Sequence, residues 1–375
     1  MKILHVNNYG TGFGTEKYIR EIMTGLTVRG HICTLFIQDV CGGDHPLKAM
    51  QSARRNLQRL TAMIRDTSPD VIHVHNITNY RLLDRLLTSG PVLKSIHEFR
   101  PFCIPRRIRP DTGEHCTMTL SRACFTTGCF QYNLHSLYRF MVEHRGGRRI
   151  RRFPWIWVYS DFMKQFVAPL LPPSCRIDVV QYFYDPPPGD PGDPPESRRI
   201  FSAGRLVRDK GYHLLLDAVA TLKEPVELTI AGEGNQETAL REQAARLGLT
   251  VNFIGYHPPS ELERWYRWCK VAAFPSDYPE PFGIVGLEAM GAARPVVAFD
   301  VGGVRDWLDD GSTGYCVPRG DTRAFSEKLH ELLTNKETAT AMGREGRRQV
   351  LEKFSSKHHI ERLELTYREI VSAHA

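Results

Sequence analysis

The stretch Pro275-Ser-Asp-Tyr-Pro-Glu280-Pro-Phe-Gly-Ile-Val-Gly-Leu-Glu288-Ala-Met-Gly-Ala-Ala-Arg-Pro-Val-Val-Ala-Phe-Asp-Val-Gly-Gly303 follows the short apolar run Val271–Phe274. Its pattern is strand, turn, helix, strand: Val271–Phe274, a tight Pro281-Phe282-Gly283 turn, a helix over Gly283–Ala292 and a strand over Pro295–Phe299. Units of this kind build parallel sheets covered by helices on both faces. The turn carries Glu280 to the carboxyl edge of the sheet. A helix starting near Gly283 presents backbone N–H groups and its positive end to the same edge, where they favour an anion. Glu288 lies eight residues beyond Glu280 and faces that edge too. Paired carboxylates beside an anion site suit a hydroxyl-rich ligand that carries negative charge.

The same alternation runs outward from this stretch. Arg199–Ala203, Val226–Ala231 and Val251–Ile254 read as strands. Gly211–Leu222, Glu237–Leu247 and Glu261–Cys269 read as helices. Ala324–Leu333, Thr338–Lys353 and Ile360–Ala373 continue as helices. Towards the N-terminus, Lys2–Asn7, His31–Gln38, Asp70–His75, Pro91–His97 and Trp155–Ser160 are strands, and Thr15–Arg29 and Ala49–Asp66 are amphipathic helices. Between the two series, residues 184–197 hold six prolines in fourteen residues, which no helix or sheet interior tolerates. The segment reads as an extended, semi-rigid linker. The expected organisation is a first α/β lobe over 1–182, a proline-rich linker over 183–197 and a second α/β lobe over 198–354. Paired lobes of this kind bind ligands in the cleft between them, at the carboxyl ends of their strands.

Composition narrows the function classes. The chain has 375 residues, 42% hydrophobic and 24% charged, which excludes a disordered tail, a collagen-like fibre and a small disulfide scaffold. No window approaches the ~20 apolar residues of a membrane-spanning helix. The apolar run at the N-terminus is too short for a secretory signal, so a cytoplasmic location is expected. Nine cysteines are an odd number, and in that compartment thiols or metal ligands are expected rather than disulfides. Residues 1–182 hold 25 Lys and Arg against 13 Asp and Glu, and residues 183–375 hold 24 against 29. A basic half beside an acidic one suggests that the first lobe meets something anionic. The basic residues are mostly arginines scattered among acidic ones with no nucleic-acid reading motif, so no nucleic-acid partner is expected.

A second signal, Phe201-Ser-Ala-Gly-Arg205-Leu-Val-Arg-Asp-Lys210-Gly211, also sits where a strand gives way to a helix. Arg205 and Lys210 would bring two cations to a diphosphate. With both signals in hand, the chain resembles the retaining nucleotide-sugar glycosyltransferases of the GT-B fold, which have two facing Rossmann-like lobes, and within them glycosyltransferase family 4. The Gly-Arg-Leu-x-x-x-Lys-Gly stretch and the Glu-x7-Glu stretch match that family's two donor-site motifs, in order and about seventy residues apart. The resemblance implies that Arg205 and Lys210 bind the donor diphosphate, Glu288 the ribose and Glu280 the transferred sugar. It also implies that the backbone of Phe282, Gly283 and Ile284 supports sugar and phosphate, and that Tyr256 borders the base or simply packs. Gly12 and Gly14 stand where the family has a glycine pair before a glutamate, although Phe13 takes the first place of that pair. His97 falls where similar enzymes put a histidine near sugar and acceptor. His73 and His75 read as structural, at the edge of the lobe. The C-terminal helix, about 355–375, packs back on the first lobe in similar proteins.

Catalysis in such enzymes requires no cofactor: the leaving diphosphate takes the acceptor's proton while Arg205, Lys210 and backbone amides stabilise its charge. The acceptor is a hydroxyl on a glycan, a lipid-linked saccharide or a small aglycone. His144-Arg-Gly-Gly-Arg-Arg-Ile-Arg-Arg152, close to Trp155 and Trp157, reads as a contact for phospholipid headgroups at the inner face of the membrane, or as a solvated helix end. Cys103, Cys116, Cys124 and Cys129 fall within 27 residues and read as buried thiols or as ligands of one structural Zn²⁺. Two other enzymes stay open. Gly10-x-Gly12 after a strand, with Asp39 ending the next, begins a fingerprint for an NAD-dependent oxidoreductase, but its third glycine would fall at Thr15. A UDP-sugar isomerase would use the same fold.

Overall fold

A computed structural model describes residues 1–8, 13–39, 46–77, 79–99, 102–103, 116, 120–130 and 132–374. Two compact units divide the chain: Met1–Val180 with Ser356–Ala375, and Gln181–Ser355. In chain order, the first unit contains β1 (Lys2–Asn8), α1 (Phe13–Val28), β2 (Ile32–Gln38), α2 (Pro46–Thr67), β3 (Val71–Val74), α3 (Tyr80–Leu87) and β4 (Val92–Ile96). It continues with α4 (Ala123–Thr126), α5 (Leu134–Ile150), β5 (Trp155–Val158), α6 (Asp161–Val167) and β6 (Arg176–Val179). The second unit contains β7 (Arg199–Ala203), α7 (Tyr212–Ala220), β8 (Glu227–Ala231), α8 (Glu237–Arg246), β9 (Val251–Phe253), α9 (Pro259–Trp268) and β10 (Val271–Phe274). It ends with α10 (Val285–Gly291), β11 (Val296–Phe299), β12 (Gly314–Val317), α11 (Thr322–Thr334) and α12 (Lys336–Lys353). The last helix, α13 (Ser356–Ser372), belongs to the first unit, where it packs on α1, β3 and β4.

Each unit has one six-stranded sheet with every pair parallel. The strand orders are β2-β1-β3-β4-β5-β6 and β12-β11-β10-β7-β8-β9. In the first sheet the order reverses between β1 and β3, and in the second between β10 and β7. At such a reversal the connections leave in opposite directions and open a crevice beyond the carboxyl ends of the two strands. The two sequence signals therefore meet, because the loop after β7 and the loop after β10 leave neighbouring strands.

Alternation along β1, β3, β4 and β5 sorts the first sheet into two unlike faces. Leu4, Val6, Ile72, Val74, Val92, Ile96, Ile156 and Val158 join an apolar core with residues of α2, α3 and α6. The alternate positions carry His5, His73, His75, Ser95, His97 and Trp157, all buried.

Several elements differ from the sequence reading. Strands β6 and β12 close the sheets at their edges, α3 occupies a segment in which no helix was expected, and α5 spans Leu134–Ile150 where only a helix end near 144–152 was expected. The proline-rich segment forms neither helix nor strand, yet it is no open spacer. Tyr184 donates its amide to Phe354, the Arg347 guanidinium reaches the carbonyl of Gly189 at 2.6 Å, and Arg294 reaches that of Gly192 at 2.9 Å. Backbone groups that prolines leave without sheet partners are thus satisfied by arginines of the second unit.

Gly211 shows how closely the loops after β7 and β10 approach. Its φ is +66° and a Cβ there would stand 1.9 Å from the Pro275 carbonyl oxygen. Gly211→Ala is expected to destabilise the second unit by about 1–3 kcal/mol through strain and collision. Urea unfolding of the variant measures this, and an unchanged midpoint contradicts it.

Candidate functional site

The loop after β7 begins at Gly204, passes the exposed Arg205 and the buried Leu206, and turns through Arg208–Lys210. The loop after β10 runs from Pro275 to Glu280. Backbone bonds stitch the two: the Asp277 amide donates to the Asp209 carbonyl at 2.9 Å, and Ser276 Oγ donates to the same carbonyl at 3.4 Å. The stitching brings Lys210 Nζ to 2.6 Å from Glu280 Oε1. Ser276 Oγ also donates to that oxygen, and the Lys210 ammonium lies 5.3 Å from the Tyr278 ring centre. Glu280 is buried, so this ion pair is largely shielded from water and its partners fix each other. Both bonds end on Oε1, and Oε2 has no hydrogen-bond partner among the described residues.

The backbone around Glu280 is held as firmly. The Gly303 amide donates to the Glu280 carbonyl at 2.8 Å. Gly302, at φ +57°, passes so close that a Cβ would stand 2.2 Å from the same oxygen. Trp307 Nε1 donates to the Phe282 carbonyl at 2.7 Å, and the buried Phe282 ring packs against Tyr182 and Phe354. Helix α10 starts at Val285 rather than near Gly283, because the Pro281-Phe282-Gly283 turn extends to Ile284, the cap. No acceptor meets the amides of Gly283 and Ile284 among the described residues. Glu288 is buried on the first turn of α10. Burial, and then the charge of Glu288, push the Tyr266 phenol well above its ordinary range.

Of the expected donor residues, the fold joins Lys210 to Glu280 directly and places Glu280, Phe282, Gly283, Ile284 and Glu288 on one turn and helix. Arg205 stands exposed, with no acidic partner among the described residues. Tyr256 follows β9, half its surface exposed, with its amide 3.4 Å from Glu233 Oε1. Sequence reasoning missed Ser276, Asp209, Tyr278 and Trp307. Nearness in the chain, of Ser276 and Tyr278 to Glu280 and of Asp209 to Lys210, could have pointed to three of them, and nothing local pointed to Trp307. At this site Lys210 and the two open amides suit an anion, and the buried carboxylates suit hydroxyls.

In the first unit, Gly14 lies exposed in the first turn of α1, while Gly12 lies outside the described residues. His73 and His75 do not line an edge: β3 is an inner strand and both rings are fully buried. They belong to a hydrogen-bonded chain in which His5 Nδ1 is 3.2 Å from His75 Nε2, and His75 Nδ1 is 3.0 Å from His97 Nε2. His73 bonds Tyr367 and Ser95, each at 2.7 Å. His97 follows β4 and stacks on Tyr159 with ring centres 4.6 Å apart. Burial lowers the pKa of His5 to about 3 and pushes those of His73, His75 and His97 well below the ordinary range. Lys94, whose Nζ meets the His75 carbonyl, is lowered to about 7 by the same cause.

His5, His73 and His75 are the one set of three ligand-type side chains among the described residues whose ligand atoms all lie within 4.8 Å of one another. Cys103, Cys116 and Cys124 are buried and Cys129 is half-buried. Trp157 is buried, and Trp155 lies under the Arg176 guanidinium at 4.4 Å, so neither tryptophan accompanies the basic run at an exposed surface. No helix among the described residues is long and apolar enough to cross a membrane.

Residues 188–349, within the second unit, match the family model for Glycosyl transferases group 1. The D-inositol 3-phosphate glycosyltransferase of Corynebacterium urealyticum is 36% identical over 163 residues, 40% of this chain and 38% of that protein. The phosphatidyl-myo-inositol mannosyltransferase of Mycobacterium leprae is 38% identical over 148 residues, 38% of this chain and 39% of that protein. The matched stretch thus spans well under half the length of these curated relatives. Sucrose-phosphate synthase from Thermosynechococcus elongatus shares the fold with a TM-score of 0.76 at 18% identity, covering 100% of both chains. Anabaena HepE, solved in complex with UDP-glucose, shares it with a TM-score of 0.73 at 18% identity, covering 98% of this chain and 100% of that one.

Proposed function

We propose that this chain is a retaining glycosyltransferase of family 4 on the GT-B fold, which moves a sugar from a nucleotide-sugar donor to a hydroxyl acceptor without a metal. The observation that carries this reading is the Lys210–Glu280 pair at the strand-order reversal of the second unit, inside the stretch that matches Glycosyl transferases group 1. Arg205, Lys210 and the amides of Gly283 and Ile284 bind the donor diphosphate and stabilise the charge that grows on it as the glycosidic bond breaks. Glu288 takes the ribose hydroxyls, Glu280 the sugar hydroxyls, and Tyr256 borders the base. The acceptor oxygen attacks from the face that the diphosphate leaves, and the departing diphosphate accepts its proton. His97 is buried in the histidine layer of the first unit, and a role for it near sugar and acceptor, like that of the loop opened by Gly12 and Gly14 near the donor, rests on the resemblance to family 4 alone. The acceptor is anionic or lipid-linked, and the enzyme works in the cytoplasm at the inner face of the membrane. Cys103, Cys116, Cys124 and Cys129 are read as thiols rather than as ligands of a structural zinc ion, since no three of their sulfurs are among the ligand-atom sets of the described residues that close to within 4.8 Å.

Calorimetric titration with UDP, GDP and dTDP in the presence of a chelator tests the donor site. Saturable binding of at least one nucleotide is expected, weakened about tenfold or more in Lys210→Ala and in Arg205→Ala as a charge-assisted phosphate contact is lost. Absence of binding by all three, or equal binding by both variants, overturns the assignment.

A further inference from the structure

Helix α5 has its apolar stripe on the outside. Tyr132, Leu134, Leu137, Tyr138 and Met141 are 81%, 87%, 46%, 38% and 42% exposed. From Leu134 onward the spacing is i, i+3, i+4, i+7, one side of a helix. Phe140, Gly146 and Ile150 take the opposite side: Phe140 packs on the small Leu120, Cys124 and Phe130 cluster, and Gly146 and Ile150 are buried. The helix is therefore docked on its own unit by one face and leaves a second apolar face in solvent. Asn133 caps its start, accepting the Ser136 amide at 2.8 Å. Leu134 and Leu137 join Phe125 and Tyr132 in lining a shallow apolar recess.

One further turn along the outer stripe, the residues become cationic. Arg145 and Arg148 continue the same side of α5 and are exposed, and Arg152 follows just past its end, exposed but bonded to Asp84 at 3.0 Å. Arg149 is differently placed, half-buried and bonded to Asp84 at 3.2 Å. A single face thus offers apolar side chains at one end and guanidinium groups at the other.

We propose that this outer face of α5 docks on an anionic lipid bilayer. Leu134, Leu137, Tyr138 and Met141 enter the boundary between headgroups and acyl chains, and Arg145 and Arg148 meet the lipid phosphates. Charge complementarity selects this occupant. A second copy of the chain laid on the same stripe would set the Arg145 and Arg148 guanidinium groups of two molecules near one another, while Asp84, the acidic residue beside this end of α5, is already held by Arg149 and Arg152. The proposal rests on the glycosyltransferase reading only for its purpose, delivery of the active protein to a lipid-borne acceptor; the docking itself is a property of α5.

Flotation of the full chain with vesicles tests the docking. One set is phosphatidylcholine alone and the other is an equal mixture with phosphatidylglycerol. Binding to the mixed vesicles is expected to exceed binding to phosphatidylcholine about tenfold or more, and to weaken with salt. Leu134→Asp with Leu137→Asp should lower it by a similar factor, and Arg148→Glu should lower both the binding and its salt dependence. These exposed positions lie outside the donor site, so the variants should bind nucleotide as the parent does; a failure of the donor reading shows in that titration and not in flotation. Equal binding to both vesicle types, or unchanged binding of the Leu134 and Leu137 double variant, overturns the proposal. So does a concentration-dependent dimer that the double variant abolishes, which would make the face an interface between copies.

Discussion

Glu280→Ala lowers sugar transfer by about 10²-fold or more, equivalent to about 2.7 kcal/mol of transition-state stabilisation, while nucleoside diphosphate binding stays within a few-fold of the parent. The contrast follows from how the carboxylate is held. Ser276 and Lys210 both bond Oε1 and lock the side chain in a buried position, which leaves Oε2 for a sugar hydroxyl. Removing the carboxylate takes away the sugar contact and releases Lys210, whose ammonium can then give itself wholly to the diphosphate. Lys210→Ala should show the reverse pattern, with nucleotide binding lost first. Glu280→Gln keeps the shape and removes the charge, so it should retain more transfer than Glu280→Ala. Because Lys210 loses its counter-charge in either Glu280 variant, a thermal melt must accompany the kinetics. A well-folded Glu280→Ala enzyme with undiminished transfer would falsify the sugar-contact role. Loss of transfer and nucleotide binding together would mean instead that Glu280 serves by holding Lys210 in place for the diphosphate.

How much of this was legible before the fold was known can be argued residue by residue. The loops holding Lys210 and Glu280 were readable, since strand, turn and helix succeed one another locally. Their direct contact was not, because it depends on β7 and β10 lying side by side after seventy intervening residues. Local pattern carries no strand order. The same limit misplaced His73 and His75: alternation showed that they share a face, but only the position of β3 between β1 and β4 shows that this face is interior. Edge strands β6 and β12 were missed because each has four residues and mixed polarity, Arg-Ile-Asp-Val and Gly-Tyr-Cys-Val. Helix α5 was legible only as a helix end near 144–152, and its body was missed for two reasons. Gly146 and Gly147 weaken its helical signal, and its most apolar stripe faces outward, against the expectation that such a stripe marks the core. The proline-rich segment was read correctly as lacking regular structure, but its docking on Arg294 and Arg347 involves side chains more than a hundred residues away.

The histidine face of the first unit makes that unit acid-sensitive, and the size of the effect follows from how many groups share one environment. His5, His73, His75 and His97 are buried together with Tyr18 of α1, Tyr159 after β5, and His359 and Tyr367 of α13, while Lys94 of β4 alternates to the face of Val92 and Ile96 and meets the His75 carbonyl. Burial holds all four histidines neutral, with folded-state pKa values below that of an exposed imidazole. The unfolded chain therefore binds more protons than the folded chain at acid pH. Their contribution to stability is complete above about pH 6.5 and is lost as pH falls toward the folded values, which for His5 is about 3. Each histidine contributes a slope of up to about 1.4 kcal/mol per pH unit in that window. Lys94 acts in the same direction at higher pH: its folded pKa of about 7 lies below its unfolded value, so stability rises further between pH 7 and the ordinary lysine range. Amide exchange measured at β3 and β4 should quicken steeply from pH 7.5 to pH 5, after correction for the intrinsic rate. His73→Asn, which removes one of the four protons, should make the dependence shallower. A corrected rate that stays level across that interval would mean that water or counter-charges reach these imidazoles, and the account of a sealed, neutral histidine layer would fall.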